Sequence, residues 1–373
     1  MSWREMFRSL DWVLAGASLL LVLLGLAMMV SSSTSTALFS GLALRQGLAL
    51  AVSLAVTIVI IRIPYHAWRR WALVVYSLGL AGLVTVTLIG QTIRGTVSRL
   101  EFFGWQLQPS EFMKLGIVTV LAWVFTRYQA MAAKALLLSA AFVLPAVGLV
   151  LAEPDAGMAG LLIATWIGLL AFSGLPWKYI VGIGVIGILV LIGSWQTILL
   201  DYQKDRIRTF LDPQADPLAA GYNVTQSIIA FGSGGILGRG LGHGPQSQLK
   251  FLPERHTDFI LASLGEELGF IGTTLVVMLY SVLLWRILKI ARSTNDIFGQ
   301  LLAIGIFFVF LTSFIVSAGM NTGLLPVTGI PFPLLSYGGS NLLTTFVLLA
   351  IVQSIHVHSR FVQKTPPEIT GII

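Results

Sequence analysis

The chain contains no cysteine among its 373 residues. That absence excludes disulfide bonds, thiolate nucleophiles and thiolate metal sites, although it says little about the compartment. Charged residues are also scarce, at 10%, whereas a soluble domain normally carries about 25%. Because 56% of the residues are hydrophobic, the composition is that of an integral membrane protein, whose helices pack in lipid.

Several motifs of catalysis and nucleotide binding are missing as well. The sequence has no HExxH, no metal-spaced histidine pair and no GxSxG, so metallohydrolase and serine-hydrolase chemistry finds no support. The glycine-rich string AFGSGGILGRGLGHG, at 230–244, contains no GxxxxGK[ST], and Leu237 breaks its match to GxGxxG. We therefore expect tight turns in a compact loop there. The net charge of +7 reflects membrane topology rather than nucleic-acid binding.

Long apolar runs fill most of the chain. A membrane-spanning helix needs about 20 apolar residues, and the first run is longer than the core of a signal peptide. The predicted fold class is all-α: a polytopic integral membrane protein of ten transmembrane helices, forming one domain over 1–373. The predicted spans are 12–31, 43–62, 71–90, 111–127, 134–152, 156–174, 178–198, 269–288, 297–318 and 340–357.

The distribution of charge predicts the orientation. If both termini are cytoplasmic, more than half of the 23 Lys and Arg residues lie in short inside loops and tails, as the positive-inside rule requires. Most of the 16 acids then lie outside or within the membrane. The long outside segment 199–268 contains aromatics and many glycines, so its composition is not that of a disordered tail. We expect it to fold as a lid over the outer mouth of the bundle.

The string FLPERHTDFI, at 251–260, is the most polar stretch of this lid. Asp258 follows Arg255 and His256, and a carboxylate beside cations stays ionised and can accept a proton from a bound hydroxyl. The structural alternative is that Thr257 or Asp258 caps the helix that follows. For Glu266 and Glu267 we favour a structural role in a first helical turn, where acids complement the helix dipole.

Other charged residues are predicted to lie near the same outer face. Glu111 and Lys114 are three apart on one helix face, and form either a buried structural pair or a site where Lys114 meets an anion. Glu153 and Asp155 lie at another outer turn. Arg45 and Arg99 add guanidinium groups, which suit a diphosphate because they donate bidentately.

The string GIPFPLLSYGGS, at 329–340, contains helix-breaking prolines and glycines at membrane depth. Irregular backbone is tolerated there only where protein or a cavity surrounds it. Two interpretations therefore stay open, a wall of a substrate groove and a rigid structural turn.

Taken together, these strings resemble the SEDS family (shape, elongation, division, sporulation), and its rod-shape branch most of all. The resemblance runs in family order over essentially the whole chain. It is carried by RQ at 45–46, QPSEFMK at 108–114, EPDAG at 153–157, the segment 201–240, FLPERHTDFI at 251–260 and PVTGIPFPLLSYGGS at 326–340. The chain departs from the family pattern at Glu153, usually Gln, at Pro245, often Thr, and at Leu100, usually Trp.

The resemblance implies a membrane glycosyltransferase that polymerises lipid II into glycan strands for cell-wall elongation, displacing undecaprenyl diphosphate with inversion. It matches Asp258 to the family's essential aspartate, which we interpret as the general base. It matches the residues that would bind substrate and diphosphate to Lys114, Glu111, Arg45, Arg99, Arg206 and Asp155.

The resemblance also implies partners and a location. The partners are lipid II, membrane lipid and a class B penicillin-binding protein, with no nucleic acid. A divalent cation, magnesium or manganese, is suggested by the family chemistry and has no ligand spacing here to support it. The expected location is the bacterial cytoplasmic membrane, with the site facing the periplasm. The alternatives are a lipid II flippase, a membrane scaffold without chemistry of its own, and the division branch of the family.

Overall fold

The computed structural model describes residues 3–31, 41–93, 96–102, 105–197, 201–212, 220–249 and 251–364. Helices dominate this part of the chain. They are α1 (Trp3–Ser9), α2 (Trp12–Ser31), α3 (Gly41–Arg62), α4 (His66–Ile89), α5 (Pro109–Arg127), α6 (Ala132–Ala152), α7 (Ala156–Phe172), α8 (Trp177–Thr197), α9 (Asp201–Leu211), α10 (Ala220–Gly234), α11 (Pro245–Gln248), α12 (Ile260–Ser293), α13 (Ile297–Asn321) and α14 (Gly339–Lys364).

Seven of these helices are long and apolar enough to cross a membrane, by length and composition: α2, α3, α4, α6, α12, α13 and α14. The other three predicted spans also coincide with helices, α5, α7 and α8. Helix α5 interrupts its apolar run with Glu111 and Lys114, and α7 has only 17 residues. The molecule is therefore a multi-helix membrane protein.

A small sheet is the exception to the all-α prediction. The strands β1 (Gln91–Ile93), β2 (Thr96–Phe102) and β3 (Trp105–Leu107) form an antiparallel sheet in the order β1-β2-β3 between α4 and α5. Its sequence is rich in Thr, Val, Ile and aromatic residues, which favour strands. The Ser340 hydroxyl donates to the Gln106 carbonyl at 2.8 Å, so β3 is fixed against the start of α14.

Polar contacts tie the helix ends together at opposite ends of the bundle. At one end, Arg286 Nε donates to Asp11 Oδ2 at 2.8 Å, and Gln353 bonds both the N–H and the C=O of Asp11. These bonds join the start of α2 to the last turns of α12 and α14. The opposite end, formed by the starts of α5, α12 and α14 and the end of α13, carries the predicted site residues. We refer to it as the site end.

Helix α12 begins earlier than predicted and is broken. It starts at Ile260, and Gly269 inside it has φ 65° and ψ −160°, which only glycine adopts easily. The predicted span beginning at 269 therefore corresponds to the second half of α12. The first half, 260–268, is a separate short helix that leads from the Asp258 loop to the break.

The glycine-rich segment 234–244 satisfies the backbone groups left open by that break. The N–H groups of Arg239 and Gly240 each donate at 3.0 Å to the carbonyls of Glu266 and Glu267, and the Phe270 N–H donates to the Gly235 carbonyl at 2.9 Å. A buried helix end needs such partners. The glycine-rich segment thus supplies backbone hydrogen-bond partners to the broken helix. This role is more specific than the compact turns that the sequence predicted.

Glu266 and Glu267 are structural, as expected, but the first-turn explanation is wrong. They lie at the end of the first half of α12, where both are fully buried. The Glu266 carboxylate accepts from the N–H groups of Gln246 and Ser247 at 2.8 and 2.9 Å, at the start of α11. Glu267 accepts from Gln248, Ser247, Gly242 and Ser31. The two acids therefore hold the segment 242–248, which includes α11, onto α12.

A glycine substitution tests this packing. At Gly238, φ is +81° and an added Cβ would lie 2.2 Å from the Glu267 carbonyl oxygen. We expect Gly238→Ala to destabilise the protein by at least about 2 kcal/mol, because strain and a backbone clash add together. The measurement is the melting temperature in detergent. The control is Gly232→Ala near the end of α10, where an added Cβ has nothing within 4 Å. Equal melting temperatures for the two variants would contradict the proposed fit.

Candidate active site at the end of the bundle

Asp258 lies in the last turn of the loop before α12, with a partly exposed side chain. The N-cap residue of α12 is Phe259, which makes no side-chain capping bond, and the Thr257 hydroxyl donates instead to Glu254 Oε2 at 2.8 Å. Thr257 and Asp258 therefore do not occupy the capping position that the structural alternative assigned to them. The Asp258 carboxylate faces the backbone of Gly329: a Cβ added at Gly329 would lie 3.9 Å from Asp258 Oδ2.

Most of the polar side chains around Asp258 brace the loop. The Glu254 carbonyl accepts from the N–H groups of Thr257 and Phe259, at 3.2 and 3.0 Å. The Arg255 guanidinium turns toward α11, where it donates to the Ser247 carbonyl and lies in the field of Glu267. Most of the polar residues of FLPERHTDFI thus stabilise the conformation of the loop, and the loop positions Asp258.

His256 is not the cation that the sequence pattern suggested. Burial, followed by the adjacent positive charge of Arg255, lowers the pKa of His256 to about 4. The imidazole is therefore neutral near pH 7, and its Nε2 is placed to accept from Arg255 Nε at 3.3 Å. Near Asp258 it therefore contributes a hydrogen-bonding group and no net positive charge.

The segment 329–340 supports the Asp258 loop directly. The Ser336 hydroxyl donates to the Thr257 carbonyl at 2.6 Å and accepts from the Phe332 N–H at 2.8 Å. The Tyr337 N–H donates to the His256 carbonyl at 2.8 Å. Phe332 is fully buried and packs edge-on against Tyr280, with ring centroids 5.2 Å apart. The structural-turn interpretation is therefore supported, and the turn carries the loop that holds Asp258.

Two amide side chains that sequence reasoning missed complete this support. Asn321 is fully buried at the end of α13, donates to the Asp258 carbonyl at 2.7 Å and accepts from the Ala262 N–H at 3.0 Å. Gln46, at the start of α3, accepts from the Gly338 N–H at 3.2 Å and donates to the Ser336 carbonyl at 3.3 Å. A lone buried amide in an apolar helix was the signal available in the sequence, since such groups need partners.

Glu111 and Lys114 form a buried ion pair in the first turns of α5. Lys114 Nζ lies 2.6 Å from Glu111 Oε2, and both side chains are almost fully buried. Asn341 Nδ2 at the start of α14 donates to the same Glu111 oxygen at 3.3 Å. The predicted pairing is present, and the interpretations of structural pair and anion site both remain compatible with it.

Asp155 lies in the electrostatic field of that pair and of Arg206. Asp155 is the N-cap of α7, and its Oδ1 accepts from the Met158 N–H at 2.9 Å. Burial raises the pKa of Asp155, the Met158 N–H and the positive charges of Arg206 and Lys114 lower it, and the charge of Glu111 raises it further. The fold therefore brings together Glu111, Lys114, Asp155 and Arg206, which we name the polar cluster.

The two other predicted arginines are less closely tied to this cluster. Arg45 has an exposed side chain on α3, one residue before Gln46. Arg99 lies in β2 opposite Gln91, and its side chain is outside the described residues. Their predicted contact with substrate stays a prediction.

A small pocket adjoins the polar cluster. It is a shallow depression open to solvent, and its walls are Arg206, Thr209 and Phe210 of α9, Val224 of α10, and Pro326 and Val327 before the supporting segment. Its wall is largely apolar, with Arg206 as the cationic group.

The described residues do not form a preformed metal site. No group of three Asp, Glu or His side chains in this part of the chain is arranged to hold a metal ion. The acids of the polar cluster already have partners, Lys114 for Glu111 and the Met158 N–H for Asp155. The arrangement offers a partly exposed carboxylate at 258, a buried ammonium at Lys114 and a partly exposed guanidinium at Arg206.

With this geometry in view, the chain belongs to the FtsW, RodA and SpoVE family of cell cycle proteins, whose family model matches residues 11–361. It is 37% identical over 318 residues to the peptidoglycan glycosyltransferase MrdB of Escherichia coli K12, a match that covers 85% of this chain and 86% of that protein.

Two solved structures share the fold over most of their length. One, from work on a peptidoglycan synthase complex that coordinates polymerization and crosslinking, aligns with a TM-score of 0.81 at 29% identity, covering 93% of this chain and 97% of that one. The other is the rod-shape-determining protein RodA of Thermus thermophilus, with a TM-score of 0.71 at 25% identity, covering 94% and 97%.

Removing the Asn321 side chain tests the support of the Asp258 loop. We expect Asn321→Ala to lower the stability by about 3 kcal/mol, because it removes the buried acceptor of the Ala262 N–H and a buried donor to the Asp258 carbonyl. The measurement is thermal unfolding in detergent. The control is Asn295→Ala, an exposed residue between α12 and α13. A loss no greater than that of the control would show that the Asn321 bonds do not hold the loop.

Proposed function

We propose that the protein is a peptidoglycan glycosyltransferase that polymerises lipid II into glycan strands for cell-wall elongation. The single observation that carries the proposal is the placement of a partly exposed carboxylate, Asp258, at the same end of the bundle as the cations Lys114 and Arg206. The relatives named for peptidoglycan glycosyltransfer and rod shape support the same activity. A substrate with an apolar tail, a diphosphate and a large sugar headgroup requires apolar helices next to charged groups, and the site end combines the two.

In the proposed reaction, Asp258 acts as the general base. It takes the proton from the 4-hydroxyl of the acceptor sugar as that oxygen attacks the anomeric carbon of the donor. The bond from the anomeric carbon to the undecaprenyl diphosphate breaks as the new glycosidic bond forms, with inversion at that carbon. General-base assistance is typically worth about 10²–10⁴-fold in rate. The loop bonds from Ser336, Tyr337 and Asn321 keep the carboxylate in position.

The polar cluster would receive the leaving diphosphate. Negative charge develops on the departing oxygen, so fixed positive groups that face it stabilise the transition state. We assign this role to Lys114 and Arg206, with Arg45 and Arg99 as further candidates. Glu111 holds Lys114 in place, and Asp155 fixes the start of α7 beside them.

We further propose the topology and the partner. Ten membrane crossings with both termini in the cytoplasm would place the site end, and the lid between α8 and α12, on the periplasmic side of the bacterial inner membrane. The match to a chain from a peptidoglycan synthase complex supports a class B penicillin-binding protein as the crosslinking partner. The alternatives, a lipid II flippase and a scaffold without chemistry, make no glycan themselves, so they are outcomes of the experiments that follow.

The direct test is polymerisation of purified lipid II, with and without the transpeptidase partner. We expect Asp258→Asn and Asp258→Ala to reduce the rate at least about 10²-fold, because both lack the base. Melting temperatures near that of the wild type would show that the variants are folded. Near-normal polymerisation by both folded variants would remove Asp258 from the mechanism. No polymer from the wild type, with transport of lipid II retained, would favour the flippase.

A double variant separates the two interpretations of the ion pair. Lys114→Gln alone leaves Glu111 buried without its charge partner, which typically costs about 3–5 kcal/mol. Glu111→Gln with Lys114→Gln removes both charges, so we expect much of the stability to return. If Lys114 binds diphosphate, polymerisation stays low in the double variant although it is folded. Recovery of the rate together with stability would instead show that the pair is only structural.

A divalent cation is proposed to enter with the substrate. Magnesium is commonly held by one or two carboxylates together with substrate phosphates, so a preformed protein cage is not required. We expect a chelator to reduce polymerisation and added magnesium or manganese to restore it. The measurement is the initial rate at increasing free metal. An unchanged rate in excess chelator would show that the reaction needs no such ion.

A further inference from the structure

Glu153 is a buried acid at the site end with no partner in the described part of the chain. It lies between α6 and α7 and is 0% exposed. Neither of its carboxyl oxygens has a hydrogen-bond partner among the described residues. Only its backbone N–H is engaged, with the carbonyls of Leu149 and Val150 at the end of α6.

Other acids near this end have hydrogen-bond or charge partners for their carboxylates. Glu111 has the Lys114 ammonium and the Asn341 amide, and Glu266 has two backbone N–H groups. Asp155, two residues away, has the Met158 N–H. An ionised carboxylate that is buried without a donor is very unfavourable, and such a group takes up a proton instead. Glu153 is the acid whose surroundings favour the neutral form.

We infer that Glu153 is a positioning residue of the active site that must carry its proton for the polar cluster to accept an anionic diphosphate. As a neutral acid it is close in size to a glutamine and, like it, can both donate and accept a hydrogen bond. This inference rests on the proposed function and adds a requirement to it: the negative charge near Lys114 and Arg206 must not increase.

The charges around this position define what ionisation would do. Burial, and then the charge of Asp155, raises the pKa of Glu153 to about 8. Asp155 in turn lies in the field of Glu111 and Lys114 from α5 and of Arg206 from α9. Loss of the Glu153 proton would place a second carboxylate beside Asp155. That charge would add to the charge of Asp155, which lies in the fields of Lys114 and Arg206, and would so oppose diphosphate binding at the polar cluster.

The experiment compares lipid II polymerisation by the wild type and Glu153→Gln between about pH 6.5 and about pH 9. The ratio of the two rates cancels titrations that both proteins share, including those of the substrate. We expect a ratio near one at the acidic end and about tenfold lower wild-type activity at the alkaline end, because about nine in ten Glu153 side chains would be ionised there. Glu5→Gln, an exposed acid in α1, is the control and should follow the wild-type profile.

A second measurement does not depend on activity. The infrared difference spectrum of the wild type should contain a protonated-carboxyl C=O band that disappears with a midpoint near pH 8 and is missing from Glu153→Gln. If Glu153→Gln cannot be recovered folded, Glu153→Met, which also removes the charge, replaces it in both measurements.

The outcomes separate this inference from the proposed function. Active proteins with parallel pH profiles, or no titrating band that depends on Glu153, would overturn the inference and leave the glycosyltransferase proposal intact. A folded but inactive Glu153→Gln at every pH would also overturn it, since the variant carries the neutral form permanently. Failure of the wild type to polymerise lipid II at any pH would count against the proposed function itself.

Discussion

The site end depends on a helix that stops and restarts at Gly269. A break at the end of a membrane helix leaves N–H and C=O groups that cannot remain unpaired in an apolar environment. The glycine-rich segment supplies those partners through its own backbone, and Glu266 and Glu267 bind its N–H groups and hydroxyls in return. The α12 side of this exchange is buried, and the hydrogen bonds connect the glycine-rich segment, the break and the short helix that follows the Asp258 loop.

Such contacts explain how a strongly apolar protein keeps a charged site. Each buried acid but one is held by specific donors, and buried ion pairs of this kind are stable only while both partners are present. Lys114 is thus held by Glu111 before any ligand arrives, so the diphosphate of the proposed reaction would meet an ammonium that is already in place. Preorganised charge of this type is a large contribution to catalysis in many enzymes.

Sequence reasoning predicted the parts of this structure that depend on local pattern. The ten apolar runs each coincide with a helix, and the three-residue spacing of Glu111 and Lys114 correctly predicted that they share a face and pair. It missed the sheet, because three short strands were treated as a loop. It also misplaced the start of α12 and assigned His256 a positive charge. Burial decides that charge, and burial depends on chain segments distant in sequence.

The least predictable contacts were those made to backbone atoms. Asn321, Gln46 and Ser336 act on carbonyls and N–H groups of residues that no motif connects to them. Periodicity identifies faces of helices, whereas these bonds depend on where two irregular segments meet in space. An isolated amide in an apolar run shows only that a partner exists, not which one.

The docking of segment 329–340 onto the Asp258 loop has a consequence for how this region tolerates variation. Ser336 and Tyr337 recognise the carbonyls of Thr257 and His256, which every amino acid possesses. The side chains at 256 and 257 can therefore vary without loss of these two docking bonds, although Thr257 also donates to Glu254 within the loop. The carboxylate at 258 thus keeps its place through contacts that do not depend on which residues precede it.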